Sequence, residues 1–392
     1  MIESGSSLSL RRFIDAATVI LLFAYIINYS PFIFNTFIPD IVRILLEVVV
    51  IFCLIMNITI QKKIKLDVLL IVPLAGIFVM LLLTDNHIFR TLISLINKMV
   101  IFILLINLFR MNSILLRYSI NVWVFLSYIL AILTLITLLV YSADIVEFSG
   151  YRLWHTRYYL HNTVFGNLLM RSFIGIEVIS IPGYMYEGVQ SGFVFGINII
   201  FAKLLIKDAK NRNKFVFINY LAGLTTISTT LYLILVIYHV TKLVNSFNIS
   251  IIVKTISWVI LFLLLGYLIY FSGFFRHTSG SVRLQNMLMY FNVFMESSAH
   301  TLLFGNGYNF FFENKRVGID SGYVKLLLEQ GIIFMFFVIG VFYKYVNYNK
   351  YLVLYILIYG LSMPIFSYPL VYFAIALLYC SYSSKKLNYQ IV

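Results

Sequence analysis

Charged side chains are scarce in this chain. Only 11% of its 392 residues are Asp, Glu, Lys or Arg, whereas 61% are hydrophobic, and the mean hydropathy is +0.95. Soluble globular domains carry about 25% charged residues, so the composition excludes an ordinary soluble protein. Apolar runs of about 20 residues, the length that crosses a bilayer as a helix, recur along the whole sequence. The chain is therefore predicted to be all-α, a polytopic integral membrane helical bundle.

Acidic residues and cysteines are also few. The chain has 15 acidic and 29 basic residues, and its two cysteines, Cys53 and Cys380, both lie inside apolar runs. Two isolated cysteines exclude a disulfide framework or a cysteine-rich metal site. No Walker-type loop and no His-Glu-x-x-His motif occurs, so we expect neither a metal nor a cofactor. The basic excess is explained by anchoring at the cytoplasmic membrane face, so nucleic acid is not an expected partner.

The apolar runs predict about twelve spans in a single membrane domain covering residues 1–392. They lie at roughly 13–30, 39–59, 66–84, 90–109, 119–141, 187–206, 214–227, 229–247, 251–271, 322–343, 351–366 and 367–383. The first run follows Arg11 and Arg12, and no small-residue cleavage site follows it, which predicts an uncleaved signal anchor. Lysine and arginine concentrate in alternate loops, which predicts that these loops and both termini are cytoplasmic.

This charge pattern requires a turn in the middle of the chain. The basic loops near Lys210 and Lys242 must lie on the same side of the membrane, so the chain must fold back between them. The polar run Thr225–Thr230 is the best place for that turn. Two short helices meeting there would suit a cavity, because backbone polar groups at that depth need partners. The alternative is one long tilted helix.

Two outward loops are long, roughly 142–186 and 272–321, and both are rich in Arg and His. The first contains Arg152, Arg157 and Arg171. Arginine is not needed on this side for topology, and its planar guanidinium grips phosphate with two hydrogen bonds. Clustered arginines therefore indicate a phosphate or pyrophosphate ligand, with anionic lipid headgroups as the alternative.

The second loop contains Arg276, Arg283 and His300. Apolar residues recur at helical spacing from 282 to 295, which predicts a helix lying on the membrane surface. Arg283 would then sit in its first turn, where backbone N–H groups and the guanidinium could bind one phosphate together. His300 is a candidate base, or else an ordinary surface histidine. Further on, Asp320 and Ser321 predict the N-cap of the span beginning at Gly322.

Some charges fall inside predicted spans. Arg43 and Glu47 are four residues apart, as are Lys325 and Glu329, which is the spacing of a helical ion pair. Lys98 has no such partner in its own span, so we expect it to face a cavity.

The order of these motifs resembles a known group of membrane enzymes. Arg283, then Gly305-Asn306-Gly307-Tyr308, then the run from Asp320 to Gly331 are similar to the polysaccharide polymerase and O-antigen ligase superfamily. The closer resemblance is to O-antigen and capsule polymerases of the Wzy type. It covers the architecture of the whole chain, and residue by residue about 279–335, the Arg171 loop and the 225–230 turn.

This resemblance implies inverting glycosyl transfer at the periplasmic face of a bacterial inner membrane. The substrate would be an undecaprenyl-pyrophosphate-linked oligosaccharide, with membrane lipids, a chain-length regulator and a flippase as further partners. The resemblance assigns catalysis to Asp320, Arg283 and His300. It assigns pyrophosphate or glycan binding to Arg171, Arg157, Arg152, Arg276 and Tyr323. Arginines would stabilise the departing pyrophosphate without a metal.

Two alternatives stay open. A flippase for lipid-linked oligosaccharide would also have about twelve spans, but its charges would be expected in a central cavity rather than in long outward loops. An O-antigen ligase would typically have Ser-Arg in the 225–230 turn and His at position 320. Here Ser228 is followed by Thr229, and position 320 is Asp. Both differences favour the polymerase.

Overall fold

The fold is taken from a computed structural model. It describes residues 5–29, 40–60, 86–142, 151–152, 159–163, 166–173, 176–183, 185, 188–246, 278–306 and 321–389, and at some of these the backbone alone. The described part is mostly α-helical, as the composition predicts. Its helices are α1 Gly5–Tyr29, α2 Asp40–Ile60, α3 Asn86–Met111, α4 Ser113–Ser142, α5 Gly188–Ile200, α6 Ala202–Leu205, α7 Ala209–Thr225, α8 Thr229–Ser246, α9 Thr278–Glu296, α10 Ala299–Phe304, α11 Gly322–Val346, α12 Lys350–Ser362 and α13 Pro369–Tyr389.

Most predicted spans coincide with helices. In the described part of the chain, α4 and α11 are long and apolar enough to cross a membrane by length and composition. Shorter apolar helical stretches occur at Phe13–Ile27, Leu45–Thr59, Gly188–Ile200, Lys350–Ser362 and Pro369–Ser384. The predicted spans 66–84 and 251–271 lie outside the described residues, so the number of about twelve stays a prediction.

The chain divides into two compact units. The single membrane domain expected for residues 1–392 stays a prediction. The first unit comprises Met1–Ile129, Ile197–Val216 and Ala299–Val392. The second comprises Leu130–Gly196 and Phe217–Ser298.

Aromatic side chains form the core of the first unit around α13. Phe102 of α3 packs on Phe342 of α11 with ring centroids 5.6 Å apart, and on Tyr372 of α13 at the same distance. Phe23 of α1 meets Phe373 edge to face at 4.9 Å. These rings are nearly inaccessible to solvent, so α13 is an interior helix of this unit and burial of large apolar side chains stabilises it.

Buried polar contacts fix the neighbouring helices of the first unit. Asn112 accepts hydrogen bonds from the backbone N–H groups of Ile114 and Leu115 at 3.1 and 3.0 Å, which caps α4. Its amide donates to Asp15 of α1 at 3.0 Å. Because these polar groups are buried, losing either partner would leave the other unsatisfied.

An antiparallel sheet in the second unit corrects the all-α prediction. Residues 142–186 were expected to be a loop, but they contain β1 Tyr151–Arg152, β2 Tyr159–Thr163, β3 Gly166–Phe173 and β4 Ile176–Gly183, in that spatial order. The β-branched run in Ile176–Ile181 is typical of a strand. The sheet was missed because charged residues interrupt three of its four strands, at Arg152, Arg171 and Glu177.

The predicted helical hairpin is confirmed, and the single long helix is wrong. Helix α7 ends at Thr225, α8 begins at Thr229, and Ile227 between them has a positive φ of 47°. Tyr220 of α7 hydrogen-bonds His239 of α8, and the Tyr232 hydroxyl donates to the Leu224 carbonyl at 2.5 Å. Contacts at these positions require the two helices to run antiparallel.

Candidate functional site

The Gly305-Asn306 turn packs directly on a kink in α11. We call this contact, between residues 303–306 and 328–331, the glycine junction. Gly305 has a φ of 88° and Gly331 a φ of 82°, the left-handed region that favours glycine. A Cβ on Gly305 would collide with the backbone of Glu329, and one on Gly331 with the Leu303 carbonyl. Each glycine is thus required by the close approach of the other segment.

Asn306 closes the glycine junction with hydrogen bonds. Its backbone N–H and its side-chain amide both donate to the Leu328 carbonyl, each at 2.9 Å. The kink at Gly331 interrupts the α11 ladder, so a carbonyl near the interruption is satisfied by another segment. The sequence motifs Gly305-Asn306 and Leu328–Gly331, separate in the chain, therefore form one structure.

The start of α11 is fixed by its own contacts. Ser321 is the N-cap, as predicted: its Oγ accepts from the Val324 N–H at 3.5 Å and donates to the Gly360 carbonyl at 3.2 Å. The Gly322 N–H donates to the Met363 carbonyl at 3.1 Å. Asp320 itself lies outside the described residues, but the residue that follows it is held firmly at the mouth of α11.

Tyr323 is engaged within the protein. Its hydroxyl donates to the Ile356 carbonyl at 3.3 Å, and its ring packs on Phe366 with centroids 5.4 Å apart. A Cβ on Gly360 would lie 2.5 Å from that ring. The Tyr323 hydroxyl, which was predicted to bind a glycan, therefore donates its hydrogen bond to a backbone carbonyl of the protein. These contacts hold the beginning of α11 in place.

His300 is exposed, on α10, one turn before the glycine junction. Its ring lies 5.0 Å from that of Phe304. The imidazole is accessible to a ligand and sits on a helix whose C-terminal end is anchored. Both predictions for it, as a base and as a surface histidine, fit this position.

Three of the predicted arginines belong to the second unit. Arg152 is in β1, Arg171 is in β3 and Arg283 is in α9; the structure describes the backbone of these three. Arg157, Arg276 and Asp320 lie outside the described residues. His300 and Tyr323 belong to the first unit.

The sheet register separates two of these arginines. Arg152 pairs with Tyr159, and His161 with Leu168, which places these positions on one face. Residue 171 is an odd number of positions from Leu168 along β3, and alternate strand positions belong to opposite faces. Positions 152 and 171 are therefore on opposite faces of the sheet, which the sequence did not reveal because it did not predict the strands.

The position of Arg283 within its helix corrects another expectation. The amphipathic helix is confirmed, but it begins at Thr278, not near 282. The free N–H groups belong to the first four residues, so Arg283 lies beyond them, in the second turn. The free N–H groups that a phosphate would meet at this helix N-terminus therefore belong to Thr278–Ser281. The pattern missed the first turn because its residues are polar.

The apolar face of α9 is exposed, as a helix lying on a membrane requires. Leu288, Phe291 and Met295 are 56%, 58% and 65% exposed, at the spacing of one helical face. Tyr290, on the other side, is 6% exposed. Burial of one side and exposure of large apolar residues on the other favour a second apolar surface over α9.

Four charged residues of the first unit, of which the two glutamates are buried, form a cluster that single-helix spacing could not identify. Lys325 and Glu329 pair at 3.9 Å, as predicted. Lys98 on α3 interacts electrostatically with Glu47 on α2 and with Lys325 on α11. Lys98 also lines a small cavity together with Leu22, Tyr25, Ile101, Tyr372 and Phe373. The expected cavity is confirmed, and the carboxylate near Lys98 comes from another helix.

Sequence reasoning missed the amide of Asn306 and the link between Lys98 and Glu47. Two glycines flanking Asn306 were a usable signal for a tight backbone approach, whereas contacts between distant helices left no local signal.

A comparison with known proteins found no matching family model, no matching curated protein and no matching solved structure.

Proposed function

We propose that this chain is an integral membrane polymerase of lipid-linked oligosaccharides, acting at the outer face of a bacterial inner membrane. The observation that carries the proposal is the placement of Arg152, Arg171 and Arg283 in one compact unit. That unit also carries the exposed apolar face of α9. Such a unit holds an exposed apolar surface and three arginines, which suits a pyrophosphate carried on a lipid.

The proposed reaction is an inverting glycosyl transfer. A sugar hydroxyl of one repeat unit attacks the anomeric carbon of another, the bond from that carbon to the pyrophosphate oxygen breaks, and undecaprenyl pyrophosphate leaves. The hydroxyl proton passes to a base, for which Asp320 is the first candidate and His300 the substitute. Arg283 and Arg171 stabilise the charge that develops on the leaving pyrophosphate.

The contacts at the start of α11 support a positioning role for this region. The Ser321 cap and the Tyr323 ring hold the chain on either side of Gly322, directly after Asp320. In this proposal Asp320 mainly orients the acceptor hydroxyl, because alignment of two bound substrates lowers the barrier without requiring a raised pKa.

Deleting the gene and analysing the surface glycan on one gel distinguishes the polymerase from the two alternatives, a ligase and a flippase. Loss of a polymerase leaves the lipid core capped by one repeat unit. Loss of a ligase leaves long polymer on the undecaprenyl carrier, and loss of a flippase leaves no surface glycan. A pattern other than the single capped unit would contradict the proposal.

Arginine substitutions then test the site. We expect Arg283→Ala to abolish chain extension while the protein still inserts, and Arg283→Lys also to fail, because an ammonium lacks the two-pronged guanidinium. Arg117→Ala is the matched control, since Arg117 is exposed on α4 and predicted to be cytoplasmic. Normal long polymer with Arg283→Ala would refute the pyrophosphate role.

A further inference from the structure

A groove lies along the end of α11 and the beginning of α12, within the first unit. It is lined by Tyr343, Asn347, Lys350, Val353, Leu354 and Leu357 and has a volume of about 410 Å³. This is within the roughly 300–1,000 Å³ of small-molecule sites. Its lining is polar at the α11–α12 turn and apolar further along α12, so its chemistry changes along its length.

The polar end of the groove carries an uncompensated positive charge. Lys350 is exposed, its Nζ lies 5.7 Å from the Tyr351 ring centroid, and it has no carboxylate partner among the described residues. Asn347, beside it, offers an amide donor. An anionic group placed there would accept hydrogen bonds from both side chains.

The apolar end continues as an open face on both helices. Leu357 and Leu361 of α12 are 48% and 61% exposed, and Phe336 and Tyr343 of α11 are 65% and 58% exposed. Gly340 lies between those two α11 residues on the same face, and a Cβ there would meet nothing within 4 Å. The absent side chain leaves room for a long apolar group running along the helices.

We propose that this groove binds an anionic phospholipid, with the headgroup at Lys350 and Asn347 and an acyl chain along Val353, Leu354 and Leu357. The loop between α11 and α12 belongs to the predicted cytoplasmic set, and anionic lipids attract basic residues at that membrane surface. The site rests on the membrane location given under the proposed function but not on the polymerase reaction. Its predicted side is opposite to that of the catalytic residues.

Native mass spectrometry of the purified full chain, with phosphatidylglycerol or phosphatidylcholine as the probe, tests this site. We expect the unaltered protein to retain phosphatidylglycerol preferentially, and Lys350→Gln to weaken that retention about fivefold, the effect of one lysine near an anionic headgroup. Lys210→Gln is the matched control, because Lys210 is an exposed lysine of the same unit and the same predicted side. It should bind as the unaltered protein does.

A second variant tests the apolar end. Gly340→Leu fills the open space without an internal clash, so it should fold normally and lose retention of both lipids. Equal phosphatidylglycerol retention by the unaltered protein, Lys350→Gln and Gly340→Leu would overturn the site. Chain extension measured on the same variants distinguishes the two proposals. Lost lipid retention with normal chain extension supports the groove alone. Normal lipid retention with no chain extension, even by the unaltered protein, would contradict the polymerase proposal alone.

Discussion

The two segments predicted as long outward loops are anchored by the same device but built from different structure. Among the described residues, the first segment (142–186) contains an antiparallel sheet, and the second (272–321) contains α9 and α10. The second segment is held by the glycine junction. The first has an equivalent anchor at the hairpin turn: the Ser180 hydroxyl donates to the Thr226 carbonyl at 2.5 Å, and a Cβ on Gly188 would collide with that same carbonyl.

This comparison shows how polar backbone is satisfied in an apolar chain. Thr226 and Ser180 are fully buried, and the turn that was expected to face a cavity instead receives its hydrogen bond from β4. In the glycine junction the Leu328 carbonyl is satisfied by Asn306. In both places a glycine permits the approach and a small polar side chain donates the hydrogen bond, so a buried carbonyl is satisfied by a distant segment of the chain.

The glycine junction should be the less tolerant of the two anchors. Gly331→Ala must adopt a positive φ and also displace the Leu303 carbonyl, so we expect a loss of at least about 3 kcal/mol of unfolding free energy. Gly340→Ala on the same helix is the control, because its Cβ would meet nothing within 4 Å. Thermal unfolding in detergent measures both. Equal melting temperatures for the two variants would show that the kink does not require glycine.

The anchor of the sheet should show a smaller effect. Gly188 does not need a positive φ, so Gly188→Ala adds a collision with the Thr226 carbonyl and a close contact with the Ser180 hydroxyl but no backbone strain. We expect a loss of about 1–3 kcal/mol. The same unfolding measurement tests this prediction. Gly223→Ala is measured for comparison, because its Cβ would meet a side chain, that of Leu231 at 3.0 Å, rather than a backbone carbonyl. A larger loss for Gly188→Ala than for Gly331→Ala would reverse the comparison.

The donor of the glycine junction should have the smallest effect. Asn306→Ala removes the side-chain hydrogen bond to the Leu328 carbonyl, but the backbone N–H of residue 306 still satisfies that carbonyl. We therefore expect a loss of about 0.5–1.5 kcal/mol, the contribution of one ordinary hydrogen bond. A loss as large as that of Gly331→Ala would mean that the amide, rather than the glycine contact, determines the junction.

Most of the long helices could be predicted because they contain apolar runs bounded by polar residues, whereas the six-residue α10 contains no such run. The hairpin turn was predictable from charge alone, since Lys210 and Lys242 had to share a side. The sheet was not, because β2 and β3 contain His161, Asn162 and Arg171, which obscure the alternation of a buried strand. Its register, and with it the separation of positions 152 and 171, follows only from the paired backbone.

The candidate site was predictable as a set of motifs but not as an arrangement. Gly305, Asn306 and Gly331 stood out in the sequence, yet nothing local indicated that they meet, because the contact joins residues more than twenty positions apart in the chain. The electrostatic interaction between Lys98 and Glu47 has the same origin. Contacts between distant segments depend on how the helices pack, and that packing leaves no periodic signal.

Release of undecaprenyl pyrophosphate coupled to glycan lengthening tests the central claim most directly. The purified chain in liposomes would be given an undecaprenyl-pyrophosphate-linked repeat unit, and both products would be measured for the unaltered protein, Arg283→Ala and Arg117→Ala. We predict equal release and lengthening for the unaltered protein and Arg117→Ala, and neither for Arg283→Ala. Release and lengthening by Arg283→Ala at the unaltered rate would contradict the account.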